Sequence, residues 1–442
     1  MALKGLDIFK LTPKTNCKEC GSPTCMAFAM KVAQGAVPVE KCPHMSDDAI
    51  AQLSEATAPP MKTIKVGTGA AEHKLGGETV LFRHQKTFVS ENLFAVNFTA
   101  AGFDEKFAEI SKVDYERIGE HMYVEALNLV FEDKDSFVEL VKKAAEKERL
   151  LILDVKDVDA AEEALKICAD KKPILNGATP DNYAQFVELA KKYGVVLGVS
   201  APDLDTLYDT TAAIEGLGFK DLILDVTGNS IKDAFSNAVQ VRRAAIKNTD
   251  RTFGYPSIVN AKKLAPGDVN MQTALASLFV VKYGSIIIME GMSYAQALPL
   301  YGLRQNIFTD PQKPMKVAPD IYALNGADEN SVCVTTVDFA LTYFIVSGEL
   351  ERSGVPCNLL ISDAGGYSVL TAWAAGKFSA GSISKFIKES DIENKIKSRT
   401  LIIPGKAAVL KGELEERLPG WSIVVAPNEA TGLVKFMKEY NK

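Results

Sequence analysis

Between residues 93 and 309 the chain repeats one pattern eight times, and that repeat limits the fold more than any other feature. Short apolar runs occur at LFAVNF (93–98), EALNLV (125–130), LLILDV (150–155), PILNGA (173–178), VVLGVS (195–200), LILDVT (222–227), PSIVNA (256–261) and SIIIME (285–290). Amphipathic stretches such as DSFVELVKKAAEKE and PDNYAQFVELAKKYG separate them. A continuous apolar run predicts a strand buried on both faces, which is the mark of a parallel sheet. Eight near-equal strand–helix units favour closure into a (β/α)8 TIM barrel over an open doubly wound sheet.

The remaining residues must then form other domains. A chain of 442 residues exceeds the roughly 250–300 at which one hydrophobic core stops growing. Composition breaks at Ala58-Pro59-Pro60, after a helical run (SDDAIAQLSEAT) with Ser46 and Asp47 as N-cap candidates. Residues 1–57 therefore read as a small domain, too short to fold without a metal or disulfides. Residues 58–92 read as a link, as does the Pro-, Asp- and Asn-rich stretch 310–330. From 331 to 442 strands SVCVTT (331–336), CNLLIS (357–362), TLIIPG (400–405) and SIVVAP (422–427) alternate with helices. Such an order predicts a small doubly wound, Rossmann-like α/β domain.

Charge excludes one class of function. Fifty Lys and Arg against 56 Asp and Glu leave a net charge of −6, whereas a nucleic-acid binder carries a basic face or stripe. No apolar run of about 18 residues suggests a membrane span, and MALKGLDIFKLTPKT lacks the apolar segment of a signal peptide. The expected location is the cytoplasm, where thiols stay reduced.

That makes cysteine placement informative. Cys17, Cys20, Cys25 and Cys42 crowd the first tenth of the chain, while Cys168, Cys333 and Cys357 are scattered. The spacing C-x2-C-x4-C-x16-C-P supplies the four thiolates of a cubane iron–sulfur cluster, with a proline after the last ligand. Structural zinc is the competing reading, but zinc sites usually pair two C-x2-C knuckles and only one is present. Thr24 can cap a helix starting at Cys25, placing that thiolate at the positive helix end. Gly21 suits a loop that turns N–H groups toward sulfur, and His44 reads as a surface neighbour of the site.

Elsewhere the signals are weaker. Barrel strands end in Asn97, Asn128, Asp154, Asn176, Asp225, Asn260 and Glu290, on the face where barrel enzymes place their chemistry. That ring suits a pterin or another hydrogen-bonding heterocycle, or merely loop-proximal polarity. Gly67-Thr68-Gly69 does not continue into a dinucleotide fingerprint. In the C-terminal region, glycine-containing turns follow three strands: Asp363–Val369, Pro404–Lys406 and Ala426–Gly432. Small residues there let a large planar ligand or its tail approach the backbone, or serve ordinary turn chemistry.

Together the cysteine motif, the barrel and the small α/β tail resemble the large subunit of the corrinoid iron–sulfur protein of the reductive acetyl-CoA pathway, over essentially the whole chain. The resemblance implies a 4Fe–4S cluster on Cys17, Cys20, Cys25 and Cys42. It also implies a corrinoid contacted by Thr336, Thr342, Gly366, Tyr367, Ser368, Val369 and Gly432, at an interface with a separate small subunit that is itself a barrel. Residues 122–442 contain no histidine. The corrinoid is thus expected base-off, without a protein imidazole under its cobalt. The implied function is methyl carriage: Co(I) takes a methyl group from methyltetrahydrofolate on a methyltransferase, and methyl-Co(III) delivers it to CO dehydrogenase/acetyl-CoA synthase. The cluster returns stray Co(II) to Co(I). Two alternatives remain: a barrel methyltransferase with its own pterin site, and an iron–sulfur electron-transfer subunit with no second cofactor.

Overall fold

A computed structural model describes residues 5–33, 36–50, 53, 59–310 and 314–440. The chain divides into two compact units, Met1–Val113 with Tyr123–Phe308, and Asp114–Met122 with Thr309–Lys442. Among the described residues no helix is long and apolar enough to cross a membrane.

In the first unit, β1 (Thr63–Val66) and β2 (His73–Gly76) form an antiparallel pair inside the stretch 58–92 expected to be a link. The eight expected barrel strands follow as β3 (Leu93–Phe98), then, beyond a small hairpin described below, β6 (Ala126–Val130), β7 (Leu150–Asp154), β8 (Ile174–Ala178), β9 (Val196–Val199), β10 (Leu222–Asp225), β11 (Ser257–Asn260) and β12 (Ile286–Met289). They close in sequence order, β12 pairing with β3, and every pairing is parallel. All six residues of β3 are buried, as the unbroken apolar run requires. Helix starts are set by side chains: Asp133, Asp157, Asp203, Ser230 and Asp268 each accept an N–H from the third residue of the following helix.

A buried ion pair fixes the last barrel helix, Tyr294–Phe308. Arg304 donates to Glu125, and to the carbonyl of Asn92 at 2.8 Å, while the other Glu125 oxygen accepts the Phe94 N–H at 3.0 Å. Arg304→Met would leave Glu125 charged and unpaired in the core, a loss of about 3–5 kcal/mol. A chemical-denaturation midpoint that stays put in that variant would contradict this reading.

Ahead of the barrel, helices Gly5–Leu11 and Cys25–Ala33 pack around Ile8, Phe28, Ala29 and Val32, with Cys20 and Cys42 in the same core. Helical structure resumes at Asp47, where Ser46 Oγ accepts the Ala49 N–H at 3.3 Å; much of the expected helix beyond Ile50 lies outside the described residues.

The second unit differs from expectation at two places. Residues Asp114–Met122, placed by sequence within the barrel stretch, group with the C-terminal part. They carry the paired strands β4 (Asp114–Arg117) and β5 (Glu120–Tyr123), and the Arg117 guanidinium lies 5.1 Å from the Phe344 ring. The stretch 310–330, expected to be a link, holds β13 (Ile321–Leu324). A four-residue edge strand with a single buried residue shows no usable alternation, so flanking turn residues dominated the reading. β14 (Val332–Val337), β15 (Cys357–Ser362), β16 (Thr400–Ile403) and β17 (Ser422–Val425) are mutually parallel, in the order β13-β15-β14-β16-β17, with β13 antiparallel to β15. Residues from Ala380–Glu389 and Lys411–Arg417 pack in one core cluster, and those from Ala340–Ser353 and Leu433–Tyr440 in another.

Candidate functional site

The loop that carries Cys17 and Cys20 has an unusual backbone. Lys14, Asn16 and Lys18 have positive φ, as does Gly21 at 76°. Such left-handed turns bring consecutive N–H groups to one side of the loop, a preference that costs a non-glycine residue about 1–3 kcal/mol. Asn16 ties the loop to the next helix: its N–H donates to Cys25 Sγ at 3.4 Å and its Oδ1 accepts the Cys25 N–H at 2.8 Å. Thr24 caps that helix through the Ala27 N–H at 3.0 Å, as the sequence predicts. Cys20, Cys25 and Cys42 are buried and Cys17 is exposed, and all four are free thiols.

Four cysteine thiols are a donor set that suits a cubane iron–sulfur cluster or a zinc ion. Tetrahedral zinc with bonds of ~2.3 Å draws its sulfurs within roughly 4 Å of one another. Among the described residues the potential ligand atoms lying within 4.8 Å of one another are those of Cys17, Glu19 and His44, not the four sulfurs. His44 is exposed and paired with Glu19 at 2.9 Å.

In the second unit, the connections from β14 run to β15 on one side and return to β16 on the other. The carboxyl ends of such a pair open a crevice. A cavity of about 260 Å³ lies there, lined by Thr336, Thr342, Ser368 and Val369 together with Ile345, Val346, Leu370, Lys406 and residues 426–430. Thr336 is 1% exposed and its Oγ1 has no hydrogen-bond partner, so a buried hydroxyl at this crevice is unused. Gly405 is held so closely that a Cβ would lie 2.5 Å from the Ala426 carbonyl oxygen and 2.7 Å from the Asn428 nitrogen. Lys406 and Glu429 pair at 2.8 Å.

One turn of the crevice is held from beneath. Asp338 is fully buried, and its Oδ1 accepts the N–H groups of Ala364 (3.0 Å) and Gly366 (2.9 Å). Lys316 Nζ stands 3.5 Å from both Asp338 and Asp363. The Gly365 N–H, helped by Lys316, holds the Asp363 carboxyl below the usual carboxylate range.

On the barrel's carboxyl face the polar strand ends meet in part. Asn128 donates to Asn97 Oδ1 at 2.7 Å and to Asp154 Oδ2 at 3.4 Å, while its own buried Oδ1 has no partner. Asn260 instead caps a helix, Asp225 accepts the Thr227 N–H, and Glu290 pairs with Lys106 and Lys262. Burial, assisted by the nearby Asp225 charge, raises the Asp154 carboxyl above its ordinary range against the Asn128 hydrogen bond. A carboxyl whose folded pKa is raised binds more protons folded than unfolded, so its contribution falls as pH climbs from the unfolded to the folded value. Asp154→Asn is therefore expected to stabilise the protein at pH 7 and not below the ordinary carboxylate range. Equal gains at both pH values would contradict the assignment.

Two family models match the chain. Residues 13–44 match one described as a putative Fe-S cluster, and residues 63–437 match the CO dehydrogenase/acetyl-CoA synthase delta subunit. The corrinoid/iron-sulfur protein large subunit of Moorella thermoacetica is 39% identical over 99% of both chains. The chain belongs to the corrinoid/iron-sulfur protein large-subunit family. Relatives named acetyl-CoA decarbonylase/synthase complex subunit gamma agree: 31% identity in Methanothermobacter thermautotrophicus over 99% of both chains, and 33% in Archaeoglobus fulgidus over 99% and 98%. Among solved structures, dihydropteroate synthase from Vibrio fischeri ES114 aligns at a TM-score of 0.38 and 11% identity, covering 49% of this chain and 92% of that one. That likeness is too low to bear on function.

Of the residues that resemblance to this family singled out, Thr336, Thr342, Ser368 and Val369 line the crevice. Gly366, Tyr367 and Gly432 lie beside it. Gly366 has φ 76° against Lys316 and Pro314, Tyr367 lies under Lys377 at 4.7 Å, and a Cβ on Gly432 would meet Pro427 at 2.9 Å. Sequence reasoning passed over Asp338 and the Lys406–Glu429 pair. An aspartate directly after a strand rich in β-branched residues, VCVTTV, was the available signal for the first.

Proposed function

We propose that this chain is a corrinoid-dependent methyl carrier of the acetyl-CoA pathway, with a 4Fe–4S cluster on Cys17, Cys20, Cys25 and Cys42 and a base-off corrinoid in the C-terminal crevice. The observation that carries it is the crevice itself: a cleft with an unused buried hydroxyl, in a domain without histidine. When bound, a corrinoid supplies a cobalt nucleophile able to accept and release a methyl group. The chain's part is to hold it. Thr336, Thr342 and Ser368 offer hydroxyls, and Ile345, Val346 and Leu370 cover apolar surface and exclude water. Residues 122–442 contain no histidine, so this domain would offer a bound corrinoid no imidazole.

At the other end, the left-handed loop and the helix start at Cys25 favour thiolates and tune an electron-transfer site. The proposed domains are a cluster region at 1–57, a barrel at 93–309 interrupted by the hairpin Asp114–Met122, and a corrinoid domain at 331–442 that takes in that hairpin and β13. The proposed partners are a small subunit in a heterodimer, a methyltetrahydrofolate methyltransferase and CO dehydrogenase/acetyl-CoA synthase, in the cytoplasm. Metal analysis and visible spectra of the anaerobically purified protein test the reading: cobalt with corrinoid absorption and cluster iron support it. Iron alone would instead make the chain an electron-transfer subunit.

The Asn97–Asn128–Asp154 cluster favours one second reading, a pterin site at the barrel mouth. Titration of the lone chain with methyltetrahydrofolate separates the two, since a pure carrier binds it weakly and a barrel methyltransferase tightly.

A further inference from the structure

The stretch 310–330 reads in sequence as a link, yet part of it is built against the turns that form the crevice. The Val317 N–H donates to the Asp338 carbonyl at 2.8 Å, and the Ala340 N–H donates to the Met315 carbonyl at 3.0 Å. Residues 315–317 are thereby held alongside the point where β14 gives way to the helix Ala340–Ser353. The same segment reaches the neighbouring turn. A Cβ on Gly366 would meet Pro314 Cβ and Lys316 Cγ, each at 3.0 Å, so the lysine stem lies against that glycine. At the end of the stem, Lys316 Nζ stands 3.5 Å from Asp338 Oδ2 and 3.5 Å from Asp363 Oδ1.

Charge explains why a lysine stands there. Asp338 is fully buried and uses Oδ1 for the N–H groups of Ala364 and Gly366, whereas its Oδ2 makes no hydrogen bond. A buried carboxylate without a countercharge is strongly unfavourable. Among the described residues, the ion pairs of Asp338 and of Asp363 are both with Lys316. Lys377, another ammonium at this turn, lies over the Tyr367 ring at 4.7 Å. One cation thus balances both the carboxylate that grips the turn from beneath and the one that begins it. The turn needs such a grip. Gly365 (φ 71°) and Gly366 (φ 76°) are consecutive left-handed glycines, the freest residues in the backbone, so contacts from outside must fix them. Directly after them come Ser368 and Val369, which line the cavity. We propose that Lys316 is a positioning residue of the crevice, supplied by the link: its ammonium, acting through Asp338 and Asp363, holds the 363–366 turn in the form that grips the ligand. The inference rests on the corrinoid reading above and adds a residue that sets how firmly the crevice holds its occupant.

The test uses the full chain, once cobalt-free and once loaded. Lys316→Met keeps most of the stem against Gly366 and removes the charge, whereas Lys316→Arg keeps the charge. Without the ammonium, Asp338 regains water only when the turn opens, so the cost falls on the turn and not on the sheet. In the cobalt-free Lys316→Met chain the Ala364 and Gly366 amides should exchange at least about 10-fold faster, while those of β14 and β15 keep wild-type rates. From the loaded protein, cobalt should leave on dialysis at least about 10-fold faster, followed by metal analysis and visible absorbance. Lys316→Arg should keep both processes slow. Unchanged exchange at Ala364 and Gly366 overturns the inference. So does faster exchange throughout β14 and β15, because the lysine then supports the sheet as a whole. A looser turn with unchanged cobalt release overturns it too, as does an arginine variant as fast as the methionine one. A wild-type chain that takes up no cobalt overturns the corrinoid reading itself. The exchange measurement needs no cobalt, which keeps the two failures apart.

Discussion

Cys25→Ser should remove nearly all iron from the purified protein, from about four atoms per chain, while cobalt stays. The argument starts at the loop. Cys25 opens the helix Cys25–Ala33, where unpaired N–H groups favour a thiolate, and it exchanges hydrogen bonds with Asn16 through both its N–H and its sulfur. A serine hydroxyl stays neutral at pH 7 and binds iron poorly, so one corner of the donor set is lost. The local core is small: Ile8, Phe28, Ala29, Val32 and Val39 are its principal apolar members, with Cys20 and Cys42 among them. Folding of such a region depends on its metal, so protease sensitivity over residues 5–50 should rise with the barrel unaffected. Under the proposed function, methyl transfer from reduced protein persists, but recovery after oxidation is lost. Full iron content in the variant would show that Cys25 is not a ligand.

How much of this was legible in sequence depended on how many residues carried each signal. The barrel was readable strand by strand because each run of four to six apolar residues is buried on both faces, and eight repeats reinforce one another. β13 was hidden for the opposite reason, with four residues on an edge and one of them buried. The hairpin at Asp114–Met122 was missed because DYER and EHMY alternate weakly and pack into the C-terminal unit, a long-range contact that no local pattern encodes. The cysteine spacing announced its own chemistry, whereas the left-handed Lys14, Asn16 and Lys18 did not, since positive φ is not expected of lysine. In the crevice the glycine-containing turns pointed to the right loops. The residue that fixes one of them, Asp338, acts from the buried end of a strand, where an aspartate alone says little.

Thr342→Trp should cost most of the bound cobalt, at least about 10-fold by metal analysis, and leave iron unchanged. Thr342 lines the mouth of a cavity of about 260 Å³ on the helix Ala340–Ser353. An indole there occupies space that a ligand needs, and an interior that is already close-packed yields only at about 1–3 kcal/mol. Position 342 is half-buried at the cavity edge, so the larger side chain need not disturb the sheet and the melting temperature should change little. Thr336→Val probes the same site with the opposite sign on stability. Its buried hydroxyl lacks a partner, and an unsatisfied buried polar group costs about 1–3 kcal/mol. The valine variant should therefore melt higher than wild type when stripped of cobalt, and yet hold cobalt less well, because the hydroxyl finds its partner only in the ligand. Both halves are required. A variant that melts lower and binds cobalt as well as wild type would mean that Thr336 belongs to the sheet's packing and that the crevice is not the corrinoid site.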